Sequence, residues 1–114
     1  MTQTSDAQGR RYELLAVIFL ILKGYWPCYL RFRTPVGEVD CIVAKRRLVV
    51  FVEVKKRKDH DGAKAAISRP SQDRIRRAAA LYLQKHPEYH GYDIRFDAVV
   101  FGNGVWPQHI RNAF

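Results

Sequence analysis

Four ionisable residues lie at alternate positions in two short apolar segments: Glu38 and Asp40 in the first, Glu53 and Lys55 in the second. Residues two apart share a face of a β-strand, so each pair is expected to point to one side of its strand. Neighbouring carboxylates are the oxygen ligands that Mg²⁺ and Mn²⁺ bind. A cation held there would stabilise charge on a scissile phosphate and lower the pKa of a bound water, which is the chemistry of phosphodiester hydrolysis.

The link between the two segments, residues 45–48, is short enough to form a hairpin turn. A symmetric turn pairs Lys45 with Leu48, Ala44 with Val49, and Ile42 with Phe51. Continued further, this register places Asp40 opposite Glu53 and Glu38 opposite Lys55. Because facing carboxylates repel one another across a sheet, a bound cation is expected to offset the cost. A turn of odd length would slip the register by one residue, and the Arg-Arg at its centre lacks the glycine or asparagine that two-residue turns favour.

The second segment ends in a Glu-x-Lys pattern, in which Lys55 either orients the attacking water or neutralises developing charge. A simpler alternative is an exposed ion pair between Glu53 and Lys55 on an amphipathic strand, which contributes little energy. Because Asp40 is predicted to face Glu53 and the surrounding chain is basic, we favour a catalytic trio of Asp40, Glu53 and Lys55 with Mg²⁺ or Mn²⁺.

The elements that position these residues follow the order α-β-β-β-α-β, with a last short strand. The predicted helices are 7–23 and 71–85, and the predicted strands are 25–33, 38–44, 48–56, 94–101 and 105–110; residues 1–6 are expected to be loose. The second helix has an apolar stripe that includes Ile75, Ala79 and Tyr82. This order predicts one α/β domain over 1–114, with a mixed β-sheet flanked by helices.

The composition favours a polyanionic partner, since 20 Lys and Arg against 11 Asp and Glu give a net charge of +9. Nucleic acid is favoured over an acidic membrane surface.

Cys28 and Cys41 have no CxxC spacing and are expected to be reduced thiols of a cytoplasmic protein. The histidines lack the spacing of a zinc site.

A run of nine apolar residues, 14–22, follows Arg10 and Arg11. It is too short to cross a bilayer, which takes about 20 residues. Glu13 and Lys23 bound the run, and no small-residue cleavage site follows it, which argues against a signal peptide. The run is predicted to be a mostly buried amphipathic helix with no membrane role.

The chain resembles the YraN family of bacterial proteins through Glu13 and the segments 37–40, 51–57 and 95–97. The resemblance extends from Gly9 to about Phe101 and includes the order and approximate spacing of these motifs. It implies a restriction-endonuclease-like fold with an α-β-β-β-α-β core. It also implies an endonuclease whose catalytic trio is the one above. By fold-level analogy with archaeal Holliday-junction resolvases, branched or damaged DNA is a substrate class to consider.

The same resemblance suggests roles for further residues. Glu13 becomes a helix carboxylate that reaches the metal or its water, although it could equally be a first-turn acid that complements the helix dipole. Glu38 is either an acid that supports the site or a partner for Lys55, and Gln72 offers a polar or phosphate contact. Tyr12, Lys56 and Ser71 depart from the family's usual glycine, threonine and lysine, but none is a predicted ligand.

Basic residues beside the proposed site predict contacts to nucleic acid, most readily DNA. They are Lys56, Arg57 and Lys58 after the third strand, and Arg74 and Arg77 on the following helix. Phosphate contacts of this kind give affinity without sequence choice, although a solvated charged face is the plain alternative. Arg95 and Asp97 are expected to form a structural pair.

Two other functions stay open beside the nuclease. One is a non-catalytic nucleic-acid-binding module, which the small size of the chain favours. The other is a protein-interaction role in which the acidic cluster is only structural. A homodimer would supply further surface, with the apolar segment 105–114 as its candidate interface.

Overall fold

The computed structural model describes residues 2–56, 67–102 and 106–114. The elements in chain order are α1 (Thr2–Leu22), β1 (Trp26–Thr34), β2 (Gly37–Lys45), β3 (Leu48–Lys56), α2 (Arg69–Lys85), a 3₁₀ turn (Pro87–Tyr89), β4 (Asp93–Phe101) and β5 (Gln108–Ile110). The predicted order is confirmed. Helix α1 begins at Thr2 and not at residue 7, because no proline interrupts the chain before that point. The basic stretch 57–66 and the first residue of the predicted last strand lie outside the described residues.

The five strands form one sheet in the order β1-β2-β3-β4-β5. Strands β3 and β4 are parallel, and the other three pairings are antiparallel. Helix α2 makes the crossover between the two parallel strands, since antiparallel neighbours need only a short turn whereas parallel neighbours need a long connection. The predicted fold class, a mixed sheet flanked by helices, is confirmed.

Apolar residues on the two faces of the sheet form two separate cores. The core on the α2 side includes Val39, Ile42, Phe51, Ile75 and Tyr82. The core on the α1 side includes Ala16, Leu20, Cys41, Val50 and Val52. The sheet is therefore the middle of three layers, as expected of strands with apolar residues on both faces.

Helix α1 is apolar around its whole circumference between Leu14 and Leu22, and only one face contacts the sheet. The exposed residues of its other face are Leu14, Leu15, Ile18, Ile21 and Leu22, the last of them 77% exposed. Trp106, 75% exposed, lies beside them across a shallow groove. The prediction of a mostly buried amphipathic helix is therefore wrong for this outer apolar face, because a single sheet covers only one side of a helix that is apolar all round.

The β2–β3 hairpin has the predicted register, with Lys45 paired to Leu48 and Ile42 to Phe51. The turn needs a left-handed residue, and Arg46 supplies it with φ of 58°. A non-glycine residue pays a conformational cost in this region. The two-residue turn is nevertheless kept, because a slip by one residue would reverse the faces of every apolar side chain in the hairpin.

Helix α2 crosses the turn between β1 and β2 at very short range. A Cβ atom built on Gly37 would lie 1.9 Å from the backbone carbonyl oxygen of Arg74. The guanidinium of Arg77 donates a hydrogen bond to the carbonyl of Val36 at 3.0 Å. The absence of a side chain at Gly37 therefore sets the height of α2 above the sheet, next to the acidic residues.

Candidate functional site

The β2–β3 ladder ends where the acidic residues begin. The last recorded pair is Cys41 with Val52, and Asp40 and Glu53 follow without a further ladder pair. Instead, the carboxylate Oδ2 of Asp40 accepts a hydrogen bond from the backbone N–H of Val54 at 2.8 Å. The predicted convergence of Asp40 and Glu53 is present, but a side chain and not the backbone joins the strands at this point.

Strand β2 loses its regular alternation at Asp40. Val39 and Ile42 are three residues apart and yet pack in the same α2-side core, whereas Cys41 packs on the α1 side. Across from this point, Arg31 on β1 has φ of 55°, a left-handed conformation. The two irregularities re-aim the Asp40 side chain into the gap where β2 and β3 separate, as β-bulges commonly do beside functional sites.

Glu53 is largely buried, with 13% of its side chain exposed. Burial, followed by the hydrogen bond and the negative charge of Asp40, raises the pKa of Glu53 to about 8 against the opposing effect of Lys55. The Lys55 Nζ lies 3.2 Å from Glu53 Oε2. At neutral pH Glu53 therefore keeps its proton beside the Asp40 carboxylate, since a neighbouring like charge disfavours its ionised form.

Arg33, on β1, contacts three of the acidic residues. Its guanidinium lies 3.5 Å from Glu13, 3.5 Å from Asp40 and 3.8 Å from Glu38. Arg74 of α2 reaches Glu38 at 3.5 Å from the other side. The expected pairing of Glu38 with Lys55 is wrong, because the ladder ends before these residues meet, and β1 brings Arg33 directly opposite Glu38.

Glu13 is buried in α1 and is held by cations of β1. Its Oε1 accepts a hydrogen bond from Arg31 Nη1 at 2.8 Å. Burial raises the pKa of Glu13, the Asp40 carboxylate adds to this rise, and Arg31 and Arg33 oppose it. Glu13 is thus near enough to Asp40 for the negative charge of that carboxylate to act on it. A role for Glu13 in holding a metal stays a prediction.

The donor set fits a hard divalent cation bound by few protein ligands. Within residues 2–56, 67–102 and 106–114, no group of three or more His, Cys, Asp or Glu is arranged to hold an ion. Asp40 and Glu53 nevertheless form a close pair of carboxylates that raises the affinity of the site for a proton. Mg²⁺ is commonly bound through one or two carboxylates with water in the remaining positions. The two neighbouring carboxylates supply oxygen donors of the kind that such an ion binds.

The first turn of α2 borders Glu38 and Glu53. A small cavity is lined by Glu38, Glu53, Ser71, Arg74 and Ile75. Ser68 caps the helix by accepting a hydrogen bond from the N–H of Ser71. The positive end of the helix dipole is therefore directed at this cavity, where it favours negative charge.

Gln72, Lys56 and Arg77 already donate hydrogen bonds to backbone carbonyls, whereas Arg74 pairs with Glu38. The amide of Gln72 donates to Ile67 at 3.1 Å, and Lys56 Nζ donates to Gly102 at 3.2 Å. Arg77 binds the turn before β2 as described above. Arg57 and Lys58 lie outside the described residues. Contacts of any of these side chains with nucleic acid stay predictions.

Asp97 anchors a buried polar network away from the acidic site. Arg95 donates two hydrogen bonds of 2.8 Å to its carboxylate, which confirms the predicted pair. His109 Nε2 lies 2.7 Å from Oδ2, and the Asn112 N–H donates to Oδ1 at 3.0 Å. Burial works to raise the pKa of Asp97, but these hydrogen bonds outweigh it and hold the pKa at about 2. His109 was not predicted for this role, since its partner is distant in sequence.

Arg31 and Arg33 are the main site residues that the sequence did not single out. One signal was available for Arg33. The Thr-Pro-Val-Gly sequence after it predicts a tight turn, and a turn there brings Arg33 opposite Glu38. Arg31 carried no comparable signal, because its contact with Glu13 depends on its left-handed backbone.

The mixed sheet between two helices, with acidic residues at the end of its central hairpin, belongs to the restriction-endonuclease-like class of α/β folds. The uncharacterised protein family UPF0102 matches residues 12–101. The chain therefore belongs to this family, which is YraN-like, and the resemblance seen in its motifs is confirmed.

Relatives of similar length match almost the whole chain. The UPF0102 protein of Nitrobacter winogradskyi is 42% identical over 106 residues, covering 93% of this chain and 90% of that protein. The UPF0102 protein of Methylorubrum extorquens is 41% identical over 112 residues, covering 98% and 88% of the two chains. That of Bradyrhizobium sp. strain BTAi1 is 44% identical over 106 residues, covering 93% and 78%.

Neither helix in the part of the chain that the structure describes combines the length and apolar character needed to cross a membrane.

Proposed function

We propose that the protein is a metal-dependent endonuclease that hydrolyses phosphodiester bonds of nucleic acid, DNA in the first place. The observation that carries the proposal is the meeting of Asp40, Glu53 and Lys55 at the point where β2 and β3 separate. A sheet gains nothing by burying two carboxylates side by side, since the arrangement costs free energy unless a cation or proton joins them.

Asp40 and Glu53 would hold Mg²⁺ or Mn²⁺ through their carboxylate oxygens. When bound, such an ion stabilises negative charge on the phosphate under attack and makes a water more acidic. Lys55, 3.2 Å from Glu53, is placed to donate a hydrogen bond to a phosphate oxygen or to the attacking water. The Val54 N–H fixes the orientation of the Asp40 carboxylate, so one ligand is held before any ion arrives.

The first turn of α2 would receive the phosphate. The helix dipole and Arg74 both favour an anion in the cavity beside Glu53. Arg74 also pairs with Glu38, so a bound phosphate would compete with Glu38 for its guanidinium. The overall charge of +9 supports the approach of a polyanion at long range.

The test is cleavage of labelled four-way junction, flap, duplex and single-stranded DNA with Mn²⁺ or Mg²⁺. Wild type is compared with Asp40→Asn and Glu53→Gln, and with Glu88→Gln as a control for loss of a distant exposed acid. We expect cutting by wild type and the control, and loss of at least about 100-fold in the two site variants. Cutting that survives in both variants would assign the activity to something other than this site.

A non-catalytic nucleic-acid-binding module is the alternative that the same experiment identifies. Its signature is binding to these substrates that weakens steeply with salt, with no metal-dependent cutting of any of them.

A further inference from the structure

A second cavity lies at the opposite end of the central hairpin from the acidic site. Its lining consists of Tyr25, Lys45, Arg46, Arg47, Leu48, Asp93, Arg95 and Arg111. Strand β3 runs from Leu48 in this lining to Glu53 over five residues, which at the rise of a strand is about 17 Å. The two sites are therefore separate, and the residues of this second one take no part in the proposed hydrolysis.

The lining is dominated by cations. Five of its residues carry a positive charge, and Asp93 is the only acid among them. The charge of Arg95 is matched by Asp97 behind it. Within the described part of the chain, no carboxylate lies within ion-pair distance of Lys45, Arg46, Arg47 or Arg111.

Several of these side chains are held in place by neighbours that carry no charge. Lys45 Nζ donates to the carbonyl of Lys23 at 2.9 Å and lies over the ring of Tyr25 at 5.1 Å. The Arg47 guanidinium lies over the Tyr92 ring at 5.1 Å. Cation–π contacts orient such groups without neutralising them. Lys45 and Arg47 are therefore oriented before any ligand binds, which reduces the entropy lost on binding.

The crowding of positive charge is also felt by the nearest lysine. Burial lowers the pKa of Lys23, and the charges of Arg111, Lys45 and Arg95 lower it further against the attraction of Asp97. Lys23 Nζ lies 2.6 Å from His109 Nδ1. The positive charges of this cavity disfavour the protonated form of Lys23. A bound anion would reduce the repulsion among them.

We propose that this cavity is a phosphate-binding site. Arginine guanidinium groups present forked donors that match phosphate oxygens, and four of them line this cavity together with one lysine. The phosphate could belong to the backbone of a nucleic acid or to a free phosphate or nucleotide, since both offer the same oxygens. The assignment holds whether or not the acidic site cleaves.

The test is a titration followed by ¹H–¹⁵N NMR in EDTA, at constant ionic strength set with chloride. The probes are inorganic phosphate, adenosine monophosphate, and a twelve-nucleotide DNA strand without terminal phosphates. The variant is Arg46→Gln with Arg111→Gln, because both side chains are exposed and lie outside the packed contacts described above. Arg69→Gln with Lys85→Gln removes the same charge from exposed positions elsewhere and serves as the matched control.

We expect the probes to shift the amides of residues 45–48, 93 and 111 in wild type and control, and the first double variant to bind about tenfold more weakly. If the DNA strand acts at lower concentration than the small probes, the backbone is the source of the phosphate. If only inorganic phosphate or the nucleotide acts, the source is a small molecule. Shifts absent from these residues, or equal affinity in the two double variants, would overturn the proposal. Because no metal or cleavage enters the measurement, its result is independent of the nuclease assay.

Discussion

The carboxylate of Asp40 takes the position of the next strand-to-strand hydrogen bond, accepting the N–H of Val54 at 2.8 Å. A backbone donor that would otherwise pair with a carbonyl is thus satisfied by a side chain. The hairpin can therefore open at this point without leaving a buried polar group unpaired. The opening lies beside Glu53, where the proposed ion and substrate phosphate would bind.

The raised pKa of Glu53 predicts that metal-free stability falls as the pH rises. Between its ordinary pKa of 4.5 and the folded value of about 8, the folded protein retains a proton that the unfolded chain releases, so the free energy of unfolding decreases with pH. Glu53→Gln removes this titration. The variant should gain roughly 2–4 kcal/mol relative to wild type from pH 5 to pH 9. Urea denaturation in EDTA measures the difference, and Glu88→Gln should follow the wild type from pH 6 to pH 9. A constant difference between Glu53→Gln and wild type would contradict the assignment.

Mn²⁺ or Mg²⁺ should raise the Tm of the wild type by several degrees at saturating concentration, because a ligand of the folded state alone stabilises it. The rise should be larger at pH 8.5 than at pH 6.5, since the ion must displace the proton of Glu53. Differential scanning fluorimetry at both pH values tests this. Glu53→Gln should lose the metal-induced rise in Tm. Asp73→Asn, which removes an exposed acid on α2, should keep it. An equal rise in both variants would place the ion elsewhere.

Arg33→Gln should destabilise the metal-free protein by about 1–3 kcal/mol, because it removes the cation shared by Glu13, Glu38 and Asp40. The Mn²⁺-induced rise in Tm should become larger than in wild type, since the ion then supplies the missing positive charge. Arg77→Gln, which loses a hydrogen bond to a carbonyl and no acidic partner, is the control. A smaller metal effect in Arg33→Gln would mean that Arg33 helps to build the ion site and does not compete with it.

Asp97→Asn should cost about 3–5 kcal/mol at pH 7, because Arg95 then lacks its partner in a buried network. The folded pKa of Asp97, about 2, lies below its ordinary 3.8. Its stabilising contribution is therefore present above pH 4 and is lost as the pH falls from 4 towards 2. The gap between variant and wild type in urea denaturation should narrow by about 2 kcal/mol over that range. A gap that persists unchanged at pH 2 would indicate a packing effect and not an ionic one.

Gly37→Ala should destabilise the protein by about 2 kcal/mol or more, because its Cβ would meet the Arg74 carbonyl at 1.9 Å and push α2 from the sheet. The matched control is Gly9→Ala in α1, where an added Cβ meets no atom within 4 Å. That substitution should stabilise by about 0.5–1 kcal/mol through helix propensity. Thermal unfolding of the two variants compares their stabilities directly. An unchanged Tm in Gly37→Ala would show that α2 lies farther from the sheet than in this structure.

Hydrophobic periodicity and turn length in the sequence predicted the secondary structure and the β2–β3 register well. The alternation of apolar residues and the two-residue link set the β2–β3 register, because any slip would turn Ile42 and Phe51 to the wrong face. The α2 stripe likewise followed from helical spacing, and Ile75, Ala79 and Tyr82 are buried as predicted.

Departures from those rules arose where distant parts of the chain meet. The hydrogen bond from Val54 to Asp40 and the left-handed backbone of Arg31 both break the alternation on which a strand prediction depends. His109 meets Asp97 only because β5 pairs with β4. The outer apolar face of α1 was missed because an apolar run in a helix does not reveal how many sides have neighbours.

Charge repulsion and the outer apolar face of α1 act in opposite directions on the solubility of the protein. At low salt the net charge of +9 keeps copies of the chain apart. As salt rises from 0.1 to 1 M, the screening length falls from about 10 to 3 Å, and this repulsion disappears while apolar attraction does not. Leu14, Ile18 and Leu22 then face one another on colliding molecules. Solubility should therefore decrease as the salt concentration rises, and a preparation held at high salt is the one most prone to precipitate.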